Sequence, residues 1–261
     1  MSKLDNFCEV PTSAVVIGAG RGLGLAFARE LLRTGVGQVH ATSREPGSSS
    51  GLQALAQEFP SRLIRHRVDV TDETELTLAA ASVERHSSEV QLMINCAGIL
   101  HGDWNGGRLF PERKLADVDA NALMHSFAVN GLGALLAAKH FSRLFPRRSR
   151  VVLANMSARV ASISDNRLGG WYGYRASKAA QNMFTRNLAI ELKRRCRALI
   201  CVALHPGTVA TSLSKPFLAN VPPAQLSSPE CAAQRMLGVI ENLRDDDNGA
   251  FLTWTGERLP W

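Results

Sequence analysis

The sequence predicts an α/β fold, a doubly wound parallel sheet in a single domain over residues 1–261. Three observations predict it. Short β-rich runs alternate with longer stretches of helical periodicity, the pattern of crossovers that cover both faces of a parallel sheet. The first β-rich run leads straight into a glycine cluster and then a helix. A chain of 261 residues, 45% hydrophobic and 20% charged, suits one domain with a large core, and no internal repeat or long low-complexity linker divides it.

The elements follow in order. "SAVVIG" (13–18) is an apolar strand, and "GLGLAFARELLRTG" has helical spacing up to Gly35, a natural helix stop. "QVHATS" (38–43) is the second strand, "GLQALAQEF" a helix, "RLIRHRVDV" (62–70) the third strand and "ETELTLAAASVERH" a helix. "VQLMINCAG" carries the fourth strand; "RVVLANMS" (150–157), "ALICVALHPG" (198–207) and "GAFLTW" (249–254) carry the rest, between helices at about 172–195 and 229–243. The stretch at 121–145 is apolar on more than one side, so it is expected to be a central helix or one buried by a partner chain, which suggests a homodimer or homotetramer. "EPGSSSG" (45–51) reads as a turn, and 102–117 and 211–228 as loops that shape a pocket, with Trp104, Trp171 and Phe217 as candidate walls.

Several functional classes are disfavoured. No run of about 18 apolar residues provides a membrane span. The opening "MSKLDNFCEV" has neither a signal core nor a transit pattern, so a cytoplasmic protein is expected. Five cysteines (Cys8, Cys96, Cys196, Cys201, Cys231) without a CxxC pair suggest neither a disulfide framework nor a metal site. The net charge of +7 comes with short basic clusters that lack interleaved aromatics, which argues for solvated faces rather than nucleic-acid binding.

Two motifs carry chemistry. "GAGRGLG" places Gly18, Gly22 and Gly24 after the first strand, with Arg21 and Leu23 between them, where the backbone can cradle a pyrophosphate at a helix N-terminus. The second strand ends in Ser43 and Arg44 rather than in a carboxylate for the ribose hydroxyls. With Arg21, two guanidiniums can clamp a 2′-phosphate, so NADP(H) is preferred to NAD(H), with Glu45 the counter-argument. In "GWYGYRASKAA", Tyr174 and Lys178 stand four apart on one helical face, and an ammonium near the phenol is expected to lower its pKa.

With "NCAG" at 95–98, Asn130 in "AVNGLG" and "HPGTVAT" at 205–211, the chain resembles the short-chain dehydrogenase/reductase family over nearly its full length, in the branch of the C-factor and sniffer-type carbonyl reductases. The resemblance implies a Rossmann-type domain and an NADPH-dependent oxidoreductase acting on the carbonyl of a small molecule. It implies Tyr174 as the general acid/base, Lys178 as the group that tunes it and holds the nicotinamide ribose, and Asn130 as anchor of a water that relays protons. Asn95, Ala97 and Gly98 would line the adenosine ribose, and Asp69 with Val70 would contact the adenine. Gly207, Val209 and Thr211 would support the nicotinamide amide and the phosphates. Taken singly, Asn130 could kink a helix beside Gly131, and Asp69 could open the turn into the next helix.

The pattern breaks at three places, of which one bears on the chemistry. Ala158 stands where the family's substrate-orienting Ser is expected, and loss of such a donor can cost about 2.7–4 kcal/mol. Ser157 is taken as its replacement, with Ser162 and Ser164 as other candidates. Ile17 and Cys96 replace a Thr and an Asn of the usual motifs. A dinucleotide-binding regulatory protein with little turnover, and a partner-binding protein acting through 121–145, are the rival readings.

Overall fold

In the computed structural model, β1 (Ser13–Ile17) leads through the glycine loop into α1 (Gly22–Arg33). β2 (Gln38–Ser43), α2 (Ser50–Glu58), β3 (Leu63–Arg67), α3 (Glu73–His86) and β4 (Leu92–Asn95) follow. A hairpin, β5 (Gly102–Trp104) and β6 (Gly107–Leu109), precedes α4 (Ala120–Phe127) and α5 (Gly133–Phe141). The chain continues through β7 (Val151–Met156), α6 (Tyr172–Lys193), β8 (Leu199–His205), β9 (Thr208–Val209), β10 (Leu226–Ser227), α7 (Pro229–Asn242) and β11 (Phe251–Thr253). The structure describes residues 10–104 and 107–261; the opening stretch with Cys8, and residues 105–106 of the 102–117 loop, lie outside the described residues.

The central sheet is wholly parallel, in the order β11-β8-β7-β4-β1-β2-β3. Its double covering explains why β1 is apolar without alternation. Ala14 and Val16 join the cluster under α1 and α7, while Val15 and Ile17 join the cluster under α3, α5 and α6. Strand order reverses between β2 and β4 on either side of β1, and the loops at that switch diverge to leave a crevice.

Helix starts follow side-chain caps where the sequence supplies them. Ser49 accepts from Leu52 N, Asp72 from Thr74 N and Glu75 N, Asp119 from Ala122 N, and Ser228 from Cys231 N. α1 differs, since Arg21 at its N-cap makes no side-chain cap and leaves the first-turn N–H groups to face the crevice.

The stretch expected as one helix at 121–145 is not regular. A π turn at Ala128–Leu132 separates α4 from α5, because Asn130 reaches out of the helix to both backbone groups of Ile99. Among the described residues, no helix is long and apolar enough to cross a membrane.

Candidate active site

A cleft of about 970 Å³ opens at the carboxyl ends of the sheet strands, over the switch point. One half is a phosphate cradle. Gly18 has φ +76, and a Cβ there would stand 2.7 Å from Ala97 N, so only glycine lets the β1 and β4 loops meet. At Gly24 a Cβ would lie 2.2 Å from the Gly18 carbonyl, so this glycine lets α1 start directly against the loop. Arg21, Gly22 and Leu23 line the same wall.

Ser43, Arg44, Asp69 and Val70 line the far end of this half. The Ser43 hydroxyl is enclosed without a hydrogen-bond partner, and neither Arg21 nor Arg44 forms an ion pair among the described residues. An orphaned hydroxyl, two free guanidiniums and an uncapped helix start suit a dinucleotide carrying a ribose phosphate. Asp69 Oδ1 accepts from Thr71 N and Thr71 Oγ1, at 2.9 and 2.7 Å. Burial favours its neutral acid, but these bonds and the charge of Arg44 prevail and hold the carboxyl below its ordinary range.

Ala97, Gly98, Gly207, Val209 and Thr211 complete the walls, with Thr211 packed against Gly22 across the cleft. Asn95 does not line it. That side chain is buried beneath, donating to Asn155 Oδ1 at 3.3 Å and accepting from Ala97 N at 3.2 Å. Its place is support of the loop rather than a ribose contact.

Tyr174 and Lys178, one turn apart on α6, both face the other half. Lys178 Nζ donates to the Met156 carbonyl at 2.8 Å and to Gln181 Oε1 at 3.1 Å. Burial lowers its pKa to about 8, partly offset by the nearby Cys96. The phenol departs from expectation. Burial pushes Tyr174 up to about 12, and Lys178, held on its two acceptors, does not counter that shift.

Asn130 also lies behind the cleft wall. Its Oδ1 accepts from Ile99 N at 2.8 Å, and its Nδ2 shares two protons among the Ile99 carbonyl, Ser126 Oγ and Ser177 Oγ. Both polar atoms of the side chain are therefore tied to the loop after β4 and to α4 and α6.

The serine candidates fare differently from expectation. Ser157 lies at the end of β7, but its hydroxyl donates its only proton to Asn182 Oδ1 at 2.7 Å. Ser162 and Ser164 turn their hydroxyls to the Trp261 carbonyl, at 3.3 and 2.8 Å. Ala158 itself lines the cleft. None of the three serines points a donor into it.

Aromatic walls close the substrate end. Trp171 stands 5.0 Å from Phe217 and 6.2 Å from Tyr174 between ring centroids. Trp104 sits one layer back, stacked at 4.9 Å on His125, which does line the cleft.

The glycine cradle and the Tyr174–Lys178 pair share one cleft, and the family model for short chain dehydrogenases matches residues 12–221. The chain belongs to the short-chain dehydrogenases. It is therefore an NAD(P)-dependent oxidoreductase. The structure of the NADPH-bound carbonyl reductase from chicken fatty liver superposes with a TM-score of 0.84 at 31% identity, covering 96% of this chain and 99% of that one. The carbonyl reductase Sniffer of Drosophila melanogaster gives 0.84 at 24% identity over 96% and 100%, a likeness of fold. C-signal of Myxococcus xanthus is 33% identical over 175 residues, 66% of this chain and 93% of that protein.

This short-chain dehydrogenase also holds cleft groups not anticipated from sequence. His205 and Arg159 line it, Gln181 holds Lys178, and Glu112 caps the start of α6. "HPG" was legible for its turn alone. Gln181 stands three residues after Lys178, on the same helical face, which was the available signal.

Proposed function

We propose that this protein is an NADPH-dependent reductase of a carbonyl on a small, fairly apolar molecule. The observation that carries the reading is the meeting of Tyr174 and Lys178 with an uncapped glycine loop in one cleft. Arg21, Arg44 and the orphaned Ser43 hydroxyl would hold the 2′-phosphate, and the first turn of α1 the pyrophosphate. When bound, the dinucleotide supplies the hydride for the carbonyl carbon. Tyr174 gives its phenolic proton to the carbonyl oxygen. Lys178, cationic below about pH 8 and held by the Met156 carbonyl and Gln181, would hold the nicotinamide ribose rather than lower the phenol's pKa. Asn130 fixes Ile99 and the α4–α5 junction beneath the pair. Trp171 and Phe217 exclude water from the substrate end.

Fluorescence or thermal-shift titration with NADPH and NADH, followed by a carbonyl screen, tests the reading. Tight NADPH binding with turnover supports it; absence of binding to either nucleotide sinks it. Ala158 and the likeness to C-signal favour one alternative, a dinucleotide-binding regulatory protein, which predicts NADPH affinity without oxidation across the screen.

The four described cysteines are free thiols, in keeping with a cytoplasmic setting. The exposed apolar residues Met124 and Phe127 on α4, with Met183 and Ile190 on α6, support a homodimer through these packed helices.

A further inference from the structure

Reduction of a carbonyl puts charge on its oxygen, and one donor from Tyr174 leaves that charge under-supported in an apolar cleft. A second fixed donor is needed, and none of the serines near β7 supplies it. Ala158 has no polar side-chain atom, Ser157 gives its proton to Asn182, and Ser162 and Ser164 bond to Trp261.

His205, the last residue of β8, lines the same cleft. β8 is the neighbour of β7: Met156 pairs with Leu204, and Ser157 N donates to the Leu204 carbonyl at 2.7 Å. The imidazole therefore stands at the same sheet end as Ala158, one strand over. Its Nδ1 is enclosed and has no hydrogen-bond partner, whereas Nε2 is not among the enclosed atoms of the half-buried ring. Burial, reinforced by Arg159, lowers its pKa to about 4, so the ring is neutral near pH 7. A neutral imidazole carries one proton, and an orphaned buried N–H is rarer than an under-satisfied acceptor. The favoured tautomer thus keeps the lone pair on enclosed Nδ1 and the proton on Nε2, the nitrogen that can reach the cleft.

We propose that Nε2–H of His205 is the second donor to the substrate carbonyl oxygen, taking the part a serine hydroxyl would play at position 158. The inference rests on the reductase reading above. His205 would act as a neutral electrophile that polarises the carbonyl, while Tyr174 remains the proton source.

The test measures NADPH affinity, thermal stability and steady-state reduction of 4-nitrobenzaldehyde. It compares wild type, His205→Phe, His205→Gln and a double variant that combines His205→Phe with Ala158→Ser. His205→Phe is expected to lose about 10²–10³-fold in kcat with NADPH affinity changed less than about threefold. His205→Gln, which keeps an N–H donor and guards against a folding defect in the Phe variant, is expected to retain more activity than His205→Phe. The hydroxyl that Ala158→Ser adds in the double variant is expected to restore about tenfold or more. Equal activity in wild type and His205→Phe, or a double variant no better than the single one, overturns the proposal while leaving the reductase reading intact. Wild type that binds NADPH but reduces neither 4-nitrobenzaldehyde nor any carbonyl of the screen removes both.

Discussion

Trp171 N donates to the Glu112 carbonyl at 2.6 Å while Trp171 holds a left-handed backbone, φ +53, directly before α6. Two residues on, Gly173 N donates to the Glu112 carboxylate at 3.1 Å. One buried acid from the 102–117 loop thus satisfies two N–H groups at the helix start that carries Tyr174. Its charge also suits the positive end of the helix. A non-glycine residue at positive φ is strained, and these bonds are what hold it there.

Glu112→Ala should therefore act on stability and on catalysis together. One enclosed contact is lost, the carboxylate to Gly173 N, because the main-chain carbonyl that holds Trp171 N remains; the cost is about 1–3 kcal/mol, equivalent to roughly 2–4 °C in Tm per kcal/mol for a chain of this size. Substrate KM should rise because the first turn of α6, which carries Tyr174 and follows Trp171, loses its cap, while NADPH affinity stays. Glu112→Gln keeps a carbonyl acceptor for Gly173 and should lie between. Thermal melts with paired KM values check this; an unchanged KM in Glu112→Ala would detach the cap from the site.

Tyr174→Phe removes the proton donor and one oxygen atom. Turnover should fall by about 10²–10⁴-fold with the NADPH-induced thermal shift retained. Lys178 titrates near 8, below its ordinary value, so its positive charge is present below that pH and lost above it. Reductive kcat in wild type should accordingly decline as pH rises through about 8. A profile flat to about pH 9.5 would show that the charge of Lys178 does not bear on turnover.

The strands, the glycine cradle and the Tyr174–Lys178 pair were readable because each is local: a run of β-branched residues, a seven-residue motif, one helical turn. What was not readable depends on contacts between distant residues. Glu112 meets Gly173 across 61 positions, and nothing in its own neighbourhood marks it as a cap. Ser157 looked like a donor at a strand end, yet its rotamer is decided by Asn182, 25 residues later. The π turn keeps an apolar helical pattern on both sides, and only the bonds from Asn130 to Ile99 show where the register slips.

Arg44→Ala should weaken NADPH binding and spare NADH. A charge-assisted phosphate contact is worth about 2 kcal/mol, or roughly thirty-fold in Kd. Glu45 lines the same part of the cleft and opposes the phosphate, so Glu45→Gln should tighten NADPH binding slightly. Fluorescence titration of both nucleotides on both variants decides the preference. Equal losses for NADPH and NADH would show that Arg44 does not read the 2′-position.

A buried histidine pair away from the cleft should govern acid stability. Ser87 Oγ donates to Gln38 Oε1 at 3.1 Å, so it must accept from His40 Nε2, 2.9 Å away. His40 Nδ1 is then the acceptor, and His66 Nε2–H donates to it at 3.0 Å. This chain requires His40 neutral, because its Nδ1 must accept, while His66 donates from Nε2. Burial lowers His40 to about 3 and His66 to about 4, with neighbouring His66, His86 and Arg85 adding to the shift. Folded-state values below the unfolded 6.5 mean that the unfolded chain binds protons first. Stability is thus complete above about pH 6.5 and falls as pH drops towards 4, by up to about 1.4 kcal/mol per pH unit for each ring. Urea unfolding at pH 7.5, 6.0 and 5.0 measures the slope. His66→Gln, whose amide N–H can still donate to His40, should flatten it by up to about a third, since His40 and His205 also titrate lower in the folded chain; an unchanged slope would place the acid sensitivity elsewhere.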